Sequence, residues 1–145
     1  MEKISFSVTI SASPEKVWTV LWQDDTYRKW TSVFSESSHA ITDWKEGSKV
    51  LFIDDKGDGM VSKIETLKPN EFMSFKHLGL VKDKIEDTES EVVKAWAGAH
   101  ENYTLKNVNG ATDLTMEMDI NAEYKEFFSE IFPKALKIVK QLAEE

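Results

Sequence analysis

Cysteine is absent from the chain. Disulfide staples and thiolate nucleophiles are therefore excluded, and the composition suits a reducing compartment. Glycine and proline are sparse, six and three in 145 residues, and no repeat, low-complexity stretch or linker breaks the sequence. Positive charge is also short: 18 Lys and Arg against 26 Asp and Glu leave a net charge of −8. The lysines are scattered, and a surface of that sign repels phosphate backbones and anionic bilayers on average. Neither nucleic-acid binding nor membrane insertion is expected. No apolar run is long enough to cross a bilayer. The start, Met1-Glu2-Lys3-Ile4, alternates polar and apolar where a signal peptide would place a basic start and an apolar block. A cytoplasmic protein is the expectation.

The composition is that of an ordinary globular chain, with 41% hydrophobic and 30% charged residues. Its length suits a single domain, here residues 1–145, with a core that needs no staples. The polar run from Lys82 to Glu91 reads as a loop within that domain.

Ile4, Phe6, Val8 and Ile10 alternate with serine and threonine, the period of a half-buried strand. Ser13-Pro14 then places a capping side chain before a residue suited to the first helical position. Val17, Trp18, Leu21 and Trp22 follow at helical spacing, and Asp24 or Asp25 can open a second short helix through Trp30. From Phe34 the pattern turns to strands: Ser37 to Trp44, Lys49 to Asp54, Met60 to Leu67, Glu71 to Val81, Trp96 to Val108 and Thr112 to Ile120. Asn109-Gly110 between the last two is a strong hairpin signal. The final segment is helical, with a wide apolar stripe through Phe127, Phe128, Ile131, Phe132, Ala135, Leu136, Ile138, Val139 and Leu142. A curved sheet would cover a stripe that broad. Pro133 inside it predicts a kink or a restart. The order is strand, two short helices, six strands and a long helix, an α+β architecture rather than a doubly wound one.

That order resembles the START-like (SRPBCC, helix-grip) superfamily. Within it, the chain is similar to homologues of the activator of the heat-shock chaperone ATPase. The likeness rests on ISASPEKVWTVLWQDDTYRKW (Ile10 to Trp30), the hairpin glycines Gly57 and Gly59, Pro69, and ENYTLKNVNGATDLTMEM (Glu101 to Met118). It implies a seven-stranded curved antiparallel sheet, two short helices after the first strand, and a long C-terminal helix packed across the sheet. An apolar cavity is implied between sheet and helix. Relatives bind lipids, steroids or polyketides, and some cyclise or hydrolyse their ligands; no branch-specific catalytic motif carries over to this chain.

Asp54-Asp55-Lys56-Gly57-Asp58-Gly59, with Glu65, nearly matches a calcium loop, but Lys56 stands where calcium needs an oxygen and the flanks alternate as strands. A solvated acidic hairpin is expected. His39, His77 and His100 lack metal spacing, and no H-E-x-x-H occurs. No P-loop or dinucleotide glycine pattern is present, so neither metal nor cofactor is expected. His77, mid-strand, either points into a cavity or is solvated. Glu101 shares a face with Tyr103 and Leu105. Buried without a partner, its pKa would rise, the making of a general acid; otherwise it is exposed or salt-bridged.

The five tryptophans, Trp18, Trp22, Trp30, Trp44 and Trp96, are core or pocket wall. The leading expectation is an apolar small-molecule binding domain. Its ligand would meet Trp30, Phe34, Phe52, Phe75, His77, Trp96, Glu101, Tyr103, Met116, Phe128 and Phe132. Ala135 would be the place where a larger side chain fills the space. The rivals are an enzyme using His77, Glu101 or Tyr103 for acid–base chemistry, and a co-chaperone or other interaction module working through its surface.

Overall fold

The computed structural model describes residues 1–145. It is α+β: a curved antiparallel sheet with a long C-terminal helix across its concave face. The elements are β1 (Glu2–Ile10), α1 (Pro14–Trp22), α2 (Asp24–Thr31), β2 (His39–Ile41), β3 (Lys49–Ile53), β4 (Gly59–Lys68), β5 (Phe72–Lys82), β6 (Ile85–Asp87), α3 (Glu91–Lys94), β7 (His100–Val108), β8 (Ala111–Ile120) and α4 (Lys125–Ala143). The strands run in the order β1-β8-β7-β5-β4-β3-β2, and β6 pairs with β5 beside that path. Seven strands match the expectation; β6 is an eighth.

The alternation in β1 buries Ile4 and Ile10 and half-buries Phe6 and Val8. On the outer face Ser7 meets the Thr115 hydroxyl at 3.0 Å and Thr9 donates to Asp113 at 3.0 Å. The Ser13 hydroxyl accepts from Lys16 N and Pro14 opens α1, so the cap forms as its chemistry dictates. The Trp30 indole donates to Leu21 O at 3.0 Å, tying α2 to α1. Asn109 and Gly110 both take positive φ, 54° and 88°, which builds a two-residue hairpin between β7 and β8.

Several segments depart from the expected strands. Ser37 to Trp44 pairs only over His39–Ile41, and Trp44 turns left-handed at φ 58°. Trp96 to Ala99 is not strand: α3 ends in a turn with Gly98 at φ 94°, and β7 starts at His100. The polar run after Lys82 is not a plain loop either. Asp83 and Lys84, at φ 49° and 67°, turn the chain so that β6 lies against β5. Gly79 admits this: a Cβ there would stand 2.1 Å from the Asp87 carbonyl oxygen.

Pro133 neither breaks nor restarts α4, which runs unbroken through it. The proline is exposed, and so is Ser129, whose carbonyl has lost its donor and can turn to water. What changes near Pro133 is burial. Every buried residue of α4 (Phe132, Ala135, Leu136, Val139 and Ala143) lies from Phe132 onward. That half completes the core with Ile4, Ile10, Leu21, Leu114 and Met116. The half before it carries the exposed Phe127 and the half-buried Phe128.

Candidate functional site

Between the concave sheet, α2 and the first half of α4 lies a cavity of about 500 Å³, lined by 28 residues of which 18 are hydrophobic. That volume is in the range of small-molecule sites. The walls come from Tyr27 and Trp30 of α2, Phe34 after it, Phe52 of β3, Phe75 and His77 of β5, Trp96 after α3, Glu101 and Tyr103 of β7, Met118 of β8, and Phe128 and Phe132 of α4.

Ten of the eleven residues expected from the sequence line this space: Trp30, Phe34, Phe52, Phe75, His77, Trp96, Glu101, Tyr103, Phe128 and Phe132. Met116 does not. It faces the same way as Met118 but lies two residues nearer the packed end of β8, fully buried opposite Phe6 and Tyr103. Ala135 is likewise fully buried outside the cavity, so a larger side chain there would overpack the core and leave the cavity unfilled. Of the five tryptophans, Trp22, Trp30 and Trp96 line the space, while Trp18 and Trp44 pack behind it. The Trp22 indole N–H is buried without a partner. Trp22, read from the sequence as core or pocket wall, and Tyr27, which that reading did not single out, are cavity residues beyond the eleven.

The aromatic wall interlocks edge to face. Phe52 meets Phe75 at 5.0 Å and 89°, Trp22 meets Tyr103 at 5.0 Å and 89°, and Phe34 meets Phe132 at 4.9 Å and 61°. Such pairs fix ring positions beyond what burial alone does.

A polar cluster stands among the aromatic rings of the wall. Glu101 accepts from His77 Nε2 at 3.1 Å and from the Tyr103 hydroxyl. His77 Nδ1 meets the Ser62 hydroxyl at 2.6 Å. Ser62 is completely buried and is not part of the cavity wall. The imidazole thus donates from Nε2 to Glu101 and is held at Nδ1 by Ser62. A bulge makes this arrangement. Val61 pairs with Gly79 and Ser62 with His77, so Leu78 is an extra residue. It changes the strand's parity and lets both His77 and Leu80 face the cavity.

Burial pushes the Glu101 carboxyl up, but the hydrogen bond and charge of His77 and the Tyr103 hydroxyl outweigh it and hold the group below the usual carboxylate range. The expectation of a raised pKa needed an unpartnered acid; Glu101 has two partners and keeps 19% of its side chain exposed. Tyr103 is raised, by burial first and then by the charge and hydrogen bond of Glu101. Tyr27 is raised by burial and by the Glu101 charge. Its hydroxyl makes no hydrogen bond within the protein, although the residue is only 6% exposed.

His100, next to Glu101 in sequence, points to the other face and pairs with Glu65 and Asp119. The acidic hairpin also disperses its carboxylates. Asp54 accepts the amides of Lys56 and Asp58, Asp58 accepts that of Asp83, and Glu65 is taken by His100.

The family model described as "Activator of Hsp90 ATPase homolog 1-like protein" matches residues 11–144. The chain belongs to that family. No curated protein matches it. Among solved structures, the Aha1 dimer from Colwellia psychrerythraea has a TM-score of 0.75 at 21% identity, over 99% of this chain and 97% of the other. Protein MLL2253 from Mesorhizobium loti has a TM-score of 0.73 at 17% identity, over 97% and 96%. DynU16, from the dynemicin biosynthetic locus, has a TM-score of 0.71 at 11% identity; this chain spans 46% of that one. At these identities the likeness establishes the fold, and the family's helix-grip fold is what the chain has. No helix is long and apolar enough to cross a membrane.

Proposed function

We propose that this family member is a binding domain for a small apolar molecule, held between the sheet and the first half of α4. The observation that carries the reading is a cavity of about 500 Å³ walled by interlocked aromatics, with the partly buried carboxylate of Glu101 among them. Apolar walls supply affinity and a few polar groups supply orientation.

The network around Glu101 supports binding over acid–base catalysis. Both nitrogens of His77 are engaged, one by Ser62 and one by Glu101, which leaves none free for a substrate. The bonds hold the carboxylate in place. The exposed apolar residues Val92 and Tyr124 also line the cavity, so they read as its entrance rather than as a separate docking face.

The test is titration with Nile red, a neutral dye that brightens in apolar surroundings. Binding should fall in the micromolar range, which corresponds to about −8 kcal/mol. Burial at about 25 cal/mol per Å² reaches that only if the dye is largely enclosed. Ser35, half-buried on the cavity wall, is the position to fill. Ser35→Trp should weaken the dye at least tenfold while the protein stays folded. No saturable binding by the wild type would overturn the reading.

A further inference from the structure

The charges around the cavity are one-sided. Four carboxylates, those of Asp54, Asp58, Glu101 and Asp119, belong to its lining, and none of the 28 lining residues is lysine or arginine. Three of these acids are already answered by main-chain amides: Asp54 by Lys56 and Asp58, Asp58 by Asp83, and Asp119 by His100. Glu101 differs. It stands among aromatic rings, and its partners are a histidine and a tyrosine hydroxyl, which leave each carboxylate oxygen a free lone pair. The same cavity is lined by Tyr27, more than nine-tenths buried and within the field of the Glu101 charge, with a hydroxyl that no protein group engages.

We infer that the ligand is a lipophilic amine: an apolar body carrying one protonated nitrogen that docks on Glu101 and Tyr27. This rests on the binding reading above and narrows it.

An ammonium group has three donors and no acceptor, which fits a carboxylate with spare lone pairs and a hydroxyl oxygen. Its bond to the carboxylate is charge-assisted. The surrounding ring faces attract a cation further. A fatty-acid carboxylate or a phosphate would meet the opposite conditions: like charge at Glu101, no lysine or arginine to pair with, and the loss of its own hydration. The hydrogen bonds that keep Glu101 ionised keep the preference in force at neutral pH.

The experiment uses three molecules with one apolar body, decylamine, decanol and decanoate, competing with bound Nile red. The amine should displace the dye at least tenfold more tightly than the alcohol, a difference of about 1.4 kcal/mol. Decanoate should be at least tenfold weaker than the alcohol. In Glu101→Gln the three should converge, each affinity being read against the variant's own Nile red affinity. Should that variant lose the dye as well, the wild-type ranking decides by itself. Equal affinities, or decanoate as the tightest, would overturn the inference while leaving the binding reading intact. So would an amine preference that survives in Glu101→Gln, since the rest of the chain's net charge of −8 would then be its source. If Nile red fails to bind the wild type, the binding reading falls and this inference with it.

Discussion

Leu136 and Phe128 lie two turns apart on α4, and truncating each should have very different consequences. Leu136 is 2% exposed in the core, packed with the residues that join β1, α1 and β8. Leu136→Ala should destabilise by about 2–5 kcal/mol, because lost burial and the residual cavity add. Phe128 is half-buried on a wall that already faces open space. Its removal enlarges that space instead of opening a new void, so Phe128→Ala should cost about 1 kcal/mol or less although it deletes a larger side chain. The limiting case is deletion of everything after Ile131. It removes Phe132, Leu136 and Val139, each contributing roughly 1.5–3 kcal/mol, from a fold whose total stability is of order 5–15 kcal/mol. The truncated chain should not fold. Urea unfolding followed by tryptophan fluorescence measures all three. Equal losses at 128 and 136, or a truncated chain that still unfolds cooperatively near the parent midpoint, would refute the division of α4 into a core half and a cavity half.

Two further outcomes follow from the charged groups. The Glu101 pKa is lowered on folding, so its ionised form contributes stability that is present above the ordinary carboxylate range and lost as pH falls through the folded value. Asp43, Asp54, Asp87 and Glu144 shift the same way, so the measure is the stability difference between wild type and Glu101→Gln, which should narrow on acidification; a difference that does not change with pH would contradict it. Millimolar calcium should leave the melting temperature unchanged, because Asp54, Asp58 and Glu65 are directed to separate partners; a stabilisation reversed by chelator and lost in Asp58→Ala would show that they converge on an ion.

What was legible in the sequence was what side chains encode locally. Ser13-Pro14 forms the cap it spells, Asn109-Gly110 makes its hairpin, and the stripe of α4 finds its sheet. Eight aromatic cavity residues could be named because large aromatic side chains have few places to go other than the core and its cavity. Features made by the backbone left no comparable trace. Strand β6 is held by main-chain pairing that Gly79 makes room for, and its three residues show no apolar alternation. The bulge at Leu78 is a register event, and with it the link from Ser62 through His77 to Glu101. Met116 failed for a related reason: parity gives the face, but not how far along the strand the packed region gives way to open space.

The most direct measurement is an NMR titration of the indole N–H resonances with decylamine. Trp22, Trp30 and Trp96 line the cavity, whereas Trp18 does not. Occupation of the cavity should shift the first three saturably and with one common affinity, leave Trp18 nearly still, and show far less movement in Glu101→Gln. Shifts that stay linear in ligand, that spare Trp30 and Trp96, or that are equally large at Trp18 would contradict a ligand held between the sheet and α4.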